Sequence, residues 1–248
     1  MGGRGSSSGM SGAGGAGGGV GAAMPQVTPT PSGLTLADVQ AMGDQQLHDF
    51  LIDVDKTDIP AFLNQNIHLQ KMLYALGMND KPEIVDKATM QKLLSGPNPP
   101  VMIYRTVNDT TVNGIPVTAK DICDILTDGD LTYVGNGIHG DGLYFSNSLS
   151  GSKSYGSRRG SRTVGAILND KAKVISENQL RSLYDSYVKT HPQSQKALGF
   201  ARSRSHHDSM SQFALTQGYN VIVSKQSSHE NYYTVLDRSA LTMTRDAY

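Results

Sequence analysis

The sequence predicts an α+β fold, and three observations lead to that fold class. Residues 1–33 are rich in Gly, Ser and Ala and then in Pro and Thr, so they predict a disordered tail with almost nothing to bury. Apolar residues recur at helical spacing through 34–96, which predicts a small helical layer. The breaker cluster GPNPP then opens 97–248, where short β-like runs and helices are mixed without strict alternation. That mixture favours α+β over a doubly wound parallel sheet.

The helical layer is expected to hold three helices. Thr35 followed by Asp38 predicts a capping box at the start of the first. The second should end at Gly77, because glycine adopts the left-handed conformation that terminates helices. A third, shorter helix is predicted within 82–96, ending at Gly96. The apolar stripes of the first two are Leu36, Val39, Leu47, Phe50 and Leu51, and then Leu69, Met72, Leu73 and Leu76.

The predicted strands of the second region are rich in β-branched and aromatic residues. They are residues 101–107, 142–146, 163–169, 173–176, 220–224 and 232–237. Helical patterns cover residues 120–129, 179–189 and 208–218.

Charge and composition exclude several functions. The 22 Lys and Arg residues balance the 22 Asp and Glu residues, so no overall field draws the chain to nucleic acid or to an acidic membrane. Cys123 is the single cysteine and lies on an apolar helical face with Ile122 and Ile125, so we expect a buried thiol, no disulfide and no metal site. No apolar run approaches about 18 residues and no secretory pattern is present, so we expect a soluble, cytoplasmic protein with no membrane partner.

Residues 135–140 spell G-x-G-x-x-G, the pattern of a dinucleotide-binding turn. That turn opens a helix, whereas the residues that follow here, 142–146, favour a strand. We therefore expect the glycines to allow a close backbone approach before a short strand begins.

The segment GDGLYFSNSLSGSKSY, residues 140–155, resembles a motif of the ADP-ribosyltransferase superfamily, and within it of the poly(ADP-ribose)-polymerase-like branch. Gly140 and residues 142–145 match the start of that motif. Ser152 and Tyr155 stand eight and eleven residues after Tyr144, the spacings that in the family hold the nicotinamide of NAD.

Nicotinamide in NAD is a flat, cationic aromatic amide, so its site requires aromatic faces and a hydroxyl for the amide. The resemblance implies that Tyr144 and Tyr155 supply the faces and that Ser152 binds the carboxamide. The alternative is that Tyr144 is an ordinary strand residue and that residues 152–155 form a solvated loop.

Within IYRTV, the resemblance places Arg105 where the polymerases have His and the toxin-like branch has Arg. A guanidinium there can bind the diphosphate bidentately or hold the adjacent ribose. The backbone of Thr106 would face the nicotinamide amide. The alternative for Arg105 is a surface ion pair on an edge strand.

The third similar segment, HENYYTVLD, departs from the family pattern. Tyr232 stands where the family has its catalytic Glu, and Glu230 lies two residues earlier, as the first Glu of the toxin-like Glu-x-Glu pair does. A carboxylate bonded to the ribose would stabilise the oxocarbenium-like transition state. A bulge within 227–231 would bring Glu230 to the ribose; the alternative is a solvated loop charge.

The resemblance covers residues 100–245 and implies a split mixed sheet with NAD, the co-substrate, in the cleft. It implies an enzyme, a mono-ADP-ribosyltransferase that modifies a protein side chain. One alternative is a non-catalytic module that binds NAD, ADP-ribose or a partner protein. Another is a structural particle protein, in which the Gly-rich tail and the helical layer would serve as docking elements. MGGRGSSSG and LGMNDKPEIVD also resemble segments of bacteriophage or prophage proteins. A phage source would place the protein in a bacterial cytoplasm or with phage particle components. The implied catalytic residues are Arg105, Tyr144 and Glu230, and the implied NAD-binding residues are Arg105, Thr106, Gly142, Tyr144, Ser152 and Tyr155.

Overall fold

The computed structural model describes residues 33–55, 68–78, 80–112, 115–129, 135–156, 160–190 and 206–247. Helices and strands are mixed along this part of the chain, so the α+β prediction is confirmed. The predicted disordered tail, as far as residue 32, and the side chain of Leu51 lie outside the described residues.

Eight α-helices lie in the described ranges. They are α1 (Leu36–Gln40), α2 (Asp44–Asp55), α3 (His68–Ala75), α4 (Lys87–Leu94), α5 (Ala119–Asp128), α6 (Leu149–Tyr155), α7 (Glu177–Thr190) and α8 (His206–Thr216). A short 3-10 helix, Arg238–Ala240, precedes the last strand.

The same ranges contain eleven strands. They are β1 (Glu83–Ile84), β2 (Ile103–Val107), β3 (Thr110–Val112), β4 (Ile115–Val117), β5 (Gly135–Gly137), β6 (Gly140–Ser146), β7 (Arg162–Leu168), β8 (Val174–Ser176), β9 (Val221–Lys225), β10 (Asn231–Val235) and β11 (Leu241–Ala247).

The main sheet is mixed. Its strand order is β1-β11-β7-β2-β6-β10-β9-β8, and β5 also pairs with β6. The outermost pairs, β1 with β11 and β8 with β9, are parallel, whereas the pairs between them are antiparallel. Strands β3 and β4 form a separate hairpin.

Two apolar cores cover opposite faces of the sheet. The neighbouring residues Val221 and Ile222 enter different cores, because side chains alternate across a strand. The core around Ile222 contains residues of α1, α2, α3, α7 and α8, with Phe213 fully buried and its ring 5.2 Å from that of Tyr184. The core around Val221 is covered by α5. Helices α1 to α3 therefore help to cover one face of the sheet.

Most sequence-predicted elements are present, with small shifts at their ends. All six predicted strands and the three helices predicted beyond residue 97 are confirmed. Thr35 caps α1 in a capping box with Asp38. Gly77 ends α3 at φ +67°, and the Met78 amide donates to the Leu73 carbonyl at 2.8 Å.

The predicted helical layer differs from the structure in two places. The first predicted helix is divided into α1 and α2 between Gln40 and Asp44, and the start of the third is a strand, so α4 begins only at Lys87. Glu83 and Ile84 form β1, which pairs in parallel with Thr242 and Met243 of β11. A two-residue strand is too short to show the apolar–polar alternation that predicts strands from sequence, so only its pairing with a distant strand reveals it. The hairpin β3–β4, helix α6 and strand β11 were not predicted either.

Within the described ranges, no helix combines the length and the apolar character that a membrane span requires.

A buried arginine donates hydrogen bonds to the C-terminal end of α5. Arg238 is 4% exposed, and its guanidinium donates to the carbonyls of Ile125 (2.9 Å), Leu126 (3.1 Å) and Gly129. The last carbonyls of a helix lack the donor of a following turn, and this side chain donates to them; the Ile125 carbonyl also accepts from the Gly129 amide at 3.0 Å. Helix α5 is thereby attached to the turn that precedes β11.

We expect Arg238→Met to lower the free energy of unfolding by about 3 kcal/mol, because it removes three hydrogen bonds from a charged donor to buried or partly buried carbonyls. Urea unfolding measures the change. The control is Arg245→Met, which breaks an exposed ion pair with Asp128 and should cost much less. Equal losses in the two variants would contradict the role assigned to Arg238.

Candidate functional site

The backbone pairing is weakest in the middle of the sheet. Strand β2 pairs with β7 over five positions, and β10 pairs with β6 over four. Strands β2 and β6 pair at one position only, where Tyr104 lies opposite Ser146. The sheet thus consists of two halves that share one backbone pair.

Arg105 lies where the pairing of β2 and β6 ends. Continuing the register would place Tyr144 opposite Thr106, but the Tyr144 carbonyl accepts from Arg105 Nη1 at 3.4 Å instead. The side chain is 7% exposed and shares its face of β2 with Ile103 and Val107. Because β2 is an internal strand, a surface ion pair on an edge strand does not describe Arg105.

Helix α6 holds Ser152 against the opposite face of β2. Ser152 is 4% exposed, and its Oγ lies 2.9 Å from Thr106 Oγ1, which lies 2.9 Å from Thr163 Oγ1 on β7. A Cβ at Gly156 would lie 2.0 Å from the Thr106 methyl group, so the glycine permits this close approach. Ser152 therefore sits on a helix, and the solvated-loop alternative does not hold for it.

The G-x-G-x-x-G segment forms the β5–β6 hairpin and opens no helix. Gly140 begins β6 at φ +95°, and a Cβ at Gly142 would lie 2.5 Å from the Thr234 methyl group. Within that segment, the predicted close approach is confirmed at Gly137, where a Cβ would lie 2.5 Å from Tyr144 Cζ. Gly142 lies beyond the segment, and its close neighbour is the adjacent strand β10.

Tyr144 is attached to this hairpin. Its hydroxyl donates to the Gly140 carbonyl at 2.6 Å and accepts from the His139 amide at 3.2 Å. Its ring covers Gly137, where a Cβ would lie 2.5 Å from Cζ. Burial raises the pKa of Tyr144 well above its usual range, so the phenol is protonated at neutral pH.

Glu230 reaches α6 from the turn between β9 and β10. Its amide donates to Ser227 Oγ at 3.1 Å, and its carboxylate accepts from Ser146 Oγ at 2.8 Å. A Cβ at Gly151 would lie 1.8 Å from Glu230 Oε1, so the carboxylate occupies the space beside that glycine. Glu230 is half-buried, which contradicts the alternative of a solvated loop charge.

No bulge is needed to bring Glu230 to this position. The register of β9 and β10 is regular from the Asn231–Lys225 pair onward, so no register shift within this pairing directs Glu230. The five-residue turn 226–230 directs the carboxylate instead, with the Glu230 carbonyl accepting from two amides of the turn.

Tyr155 and Tyr232 face each other beside Glu230. The Tyr155 hydroxyl donates to the Tyr232 hydroxyl at 2.9 Å, and the ring centroids lie 5.9 Å apart in an edge-to-face arrangement. Tyr155 is 67% exposed, whereas Tyr232 is half-buried and pairs in register with Ser146. Burial, with contributions from Tyr155 and Glu230, raises the pKa of Tyr232.

We call this group of side chains the α6 site. Its members are Thr106, Ser146, Ser152, Tyr155, Glu230 and Tyr232. The structure thus brings four sequence-predicted residues together, Thr106, Ser152, Tyr155 and Glu230, and adds Ser146 and Tyr232 to them. Arg105 and Tyr144 lie at the adjoining gap and in the hairpin, respectively.

A buried polar network behind the hairpin was not predicted from the sequence. His139 is 1% exposed; its Nδ1 lies 2.7 Å from Thr234 Oγ1, and its Nε2 lies 3.4 Å from Glu177 Oε2 on α7. Burial opposes ionisation of Glu177, but Arg181 and His139 overcome it and lower the pKa of this carboxyl. The network fixes the hairpin to α7. A sequence signal exists, since polar His139 and Asp141 stand inside a glycine-rich segment.

In the described part of the chain, no cluster of three or more His, Cys, Asp or Glu side chains could hold a metal ion. No family model, curated protein or solved structure matches the chain.

We expect Gly151→Ala to act through Glu230. Alanine favours the helix by about 1 kcal/mol, so in a Glu230→Ala background the substitution should stabilise the protein by roughly that amount. In the wild-type background, the new methyl group displaces the carboxylate from Ser146, and the lost hydrogen bond of about 1 kcal/mol cancels the gain. Urea unfolding of the four proteins measures both effects.

The control for this cycle is Ser150→Ala, an exposed position on the same helix, which should change stability equally in both backgrounds. If Gly151→Ala also had equal effects in both backgrounds, the carboxylate would not lie against α6.

Proposed function

We propose that the protein is a mono-ADP-ribosyltransferase that transfers ADP-ribose from NAD to a protein side chain. The observation that carries the proposal is the convergence of Ser152, Tyr155 and Glu230. These residues come from α6 and from the distant β9–β10 turn, and Glu230 Oε1 lies beside Gly151, the residue that precedes Ser152. A hydroxyl, an aromatic ring and a carboxylate are the groups that a nicotinamide riboside requires.

In the proposed reaction, the bond between ribose C1′ and the nicotinamide nitrogen breaks, and its electron pair leaves with neutral nicotinamide. A new bond forms between C1′ and a nucleophilic atom of the acceptor, which releases its proton to solvent. Positive charge develops on the ribose as the first bond breaks. The Glu230 carboxylate, held by Ser146, is assigned to stabilise that charge through the ribose hydroxyl.

Ser152 and Thr106 are assigned to the carboxamide. Their hydroxyls share one hydrogen bond, and Thr106 also contacts Thr163, so the group can reorient to bind both the oxygen and the nitrogen of an amide. A partly hydrogen-bonded, nearly buried hydroxyl is the type of group that recognises one end of a small ligand.

Arg105 is assigned to the ribose or the diphosphate. Its guanidinium lies at the gap between β2 and β6, on the face opposite Thr106, so the gap is the route by which it would meet a ligand at the α6 site. A buried guanidinium with several donors suits an anionic group better than a neutral one.

A non-catalytic module that binds NAD or ADP-ribose is the second candidate. Tyr232 favours it, because it occupies the strand position where the family has its catalytic Glu, and its hydroxyl is bonded to Tyr155. In that case the Ser146–Glu230 pair would bind the ribose hydroxyl without accelerating bond cleavage.

The variant Glu230→Gln distinguishes the enzyme from the binding module. For the enzyme, we expect nicotinamide release from NAD to fall on the order of a hundredfold, because the amide carries no charge to stabilise the transition state. NAD affinity should change little, because the amide keeps its acceptor oxygen. Chromatography of released nicotinamide measures the rate, calorimetry measures the affinity, and mass spectrometry of a cell lysate identifies the modified acceptor.

The matched control is Asp170→Asn, which neutralises an exposed carboxylate in the turn after β7 and should leave the rate unchanged. Saturable NAD binding without nicotinamide release by the wild-type protein would establish the binding module. A wild-type protein that neither binds nor cleaves NAD would contradict both candidates.

A further inference from the structure

We propose that Tyr232 forms the second aromatic wall of the ring-binding site, opposite Tyr155, and that the bond between their hydroxyls keeps this site closed until the ring of the ligand enters. The inference rests on the proposed function and identifies which side chains hold the nicotinamide. The motif resemblance implies Tyr144 for the second wall and gives Tyr232 no contact with the ring.

Tyr144 is poorly available for that role. Its hydroxyl bonds two backbone groups of the β5–β6 hairpin, and its ring lies against Gly137. Releasing the ring would break both hydrogen bonds and expose a side chain that the hairpin covers. Tyr144 therefore maintains the shape of the hairpin.

Tyr232 is available. Its ring meets Tyr155 edge to face at an interplanar angle of 76°, and Tyr155 is 67% exposed at the last position of α6. Tyr232 also pairs in register with Ser146, the residue that holds Glu230. A ring bound between the two tyrosines would have its ribose next to that carboxylate.

The observed pair is too close to contain a ligand. A planar ring between two parallel rings needs them about 7 Å apart, because each stacked contact takes about 3.5 Å. The centroids are 5.9 Å apart and the rings are not parallel, so Tyr155 must rotate outward and the hydroxyl bond must break. Because the Tyr155 side chain is mostly exposed, it can rotate with little loss of packing.

The chemistry of the pair favours the substrate over the product. The nicotinamide ring is cationic in NAD and becomes neutral when the glycosidic bond breaks. The faces of tyrosine rings attract cations, so two such faces hold NAD more strongly than free nicotinamide. Product release is thereby favoured.

Calorimetric titrations with NAD and with ADP-ribose test the inference, because ADP-ribose lacks the nicotinamide ring. Tyr232→Ala should weaken NAD binding about tenfold, as expected for one lost stacking contact, and leave ADP-ribose binding unchanged. Tyr232→Phe keeps the ring but removes the hydroxyl bond, so it should strengthen NAD binding by about threefold. Thermal unfolding of each variant establishes that it is folded.

Each of the following outcomes would overturn one part of the proposal. If Tyr232→Ala affects neither ligand, or both equally, the second-wall assignment is wrong while the proposed function stands. If Tyr232→Phe weakens NAD binding as Tyr232→Ala does, the closing role of the hydroxyl bond is wrong. If the wild-type protein binds neither ligand, the proposed function fails and this inference fails with it.

Discussion

The single backbone pair between Tyr104 and Ser146 is the constraint on which the rest of the structure depends. Where β2 and β6 separate, backbone groups lose their ladder partners, and buried groups of this kind need replacements. The Arg105 guanidinium replaces one of them at the Tyr144 carbonyl, which explains a buried cation in an internal strand. The two half-sheets are further connected by the cores on their opposite faces and by α6, which links the end of β6 to Thr106.

The position of Glu230 is a second consequence of local geometry. A tyrosine at 232 fills the strand position beside Ser146, and the turn before β10 supplies the carboxylate to the same serine. Gly151 makes this possible because a larger residue would occupy the place of the carboxylate. The α6 site thus combines a carboxylate from a turn with an aromatic residue from a strand. Gly151 leaves space for the carboxylate, and Ser146 bonds the carboxylate and pairs with Tyr232.

The sequence predicted the elements better than their contacts. Runs of β-branched and aromatic residues were sufficient for β2, β6 and β7, and helical spacing was sufficient for α5. Strand β2 and helix α5 bury one face, whereas β6 and β7 are buried on both faces. Helix α6 was missed because Gly and Ser are poor helix formers, and its cap on Ser148 is a single side-chain bond.

In the candidate site, too, the sequence predicted residues better than the contacts between them. The motif resemblance selects Ser152 and Tyr155, but the side chains that these residues contact, Thr106 and Tyr232, come from strands distant in sequence. The predicted role of Tyr144 depends on where its side chain points, and the hairpin glycines set that direction through Gly137 and Gly140. No local pattern encodes such a contact, because it forms only when two remote segments meet.

Hydrogen–deuterium exchange of the wild-type protein with and without saturating NAD tests the central claim, that NAD binds where β2, α6 and the β9–β10 turn meet. The account predicts slower exchange of amides in Ile103–Val107, in Leu149–Tyr155 and in 226–230, with exchange in α4 unchanged. Exchange that is unchanged in all three segments, or slowed only in α1 to α4, would contradict it.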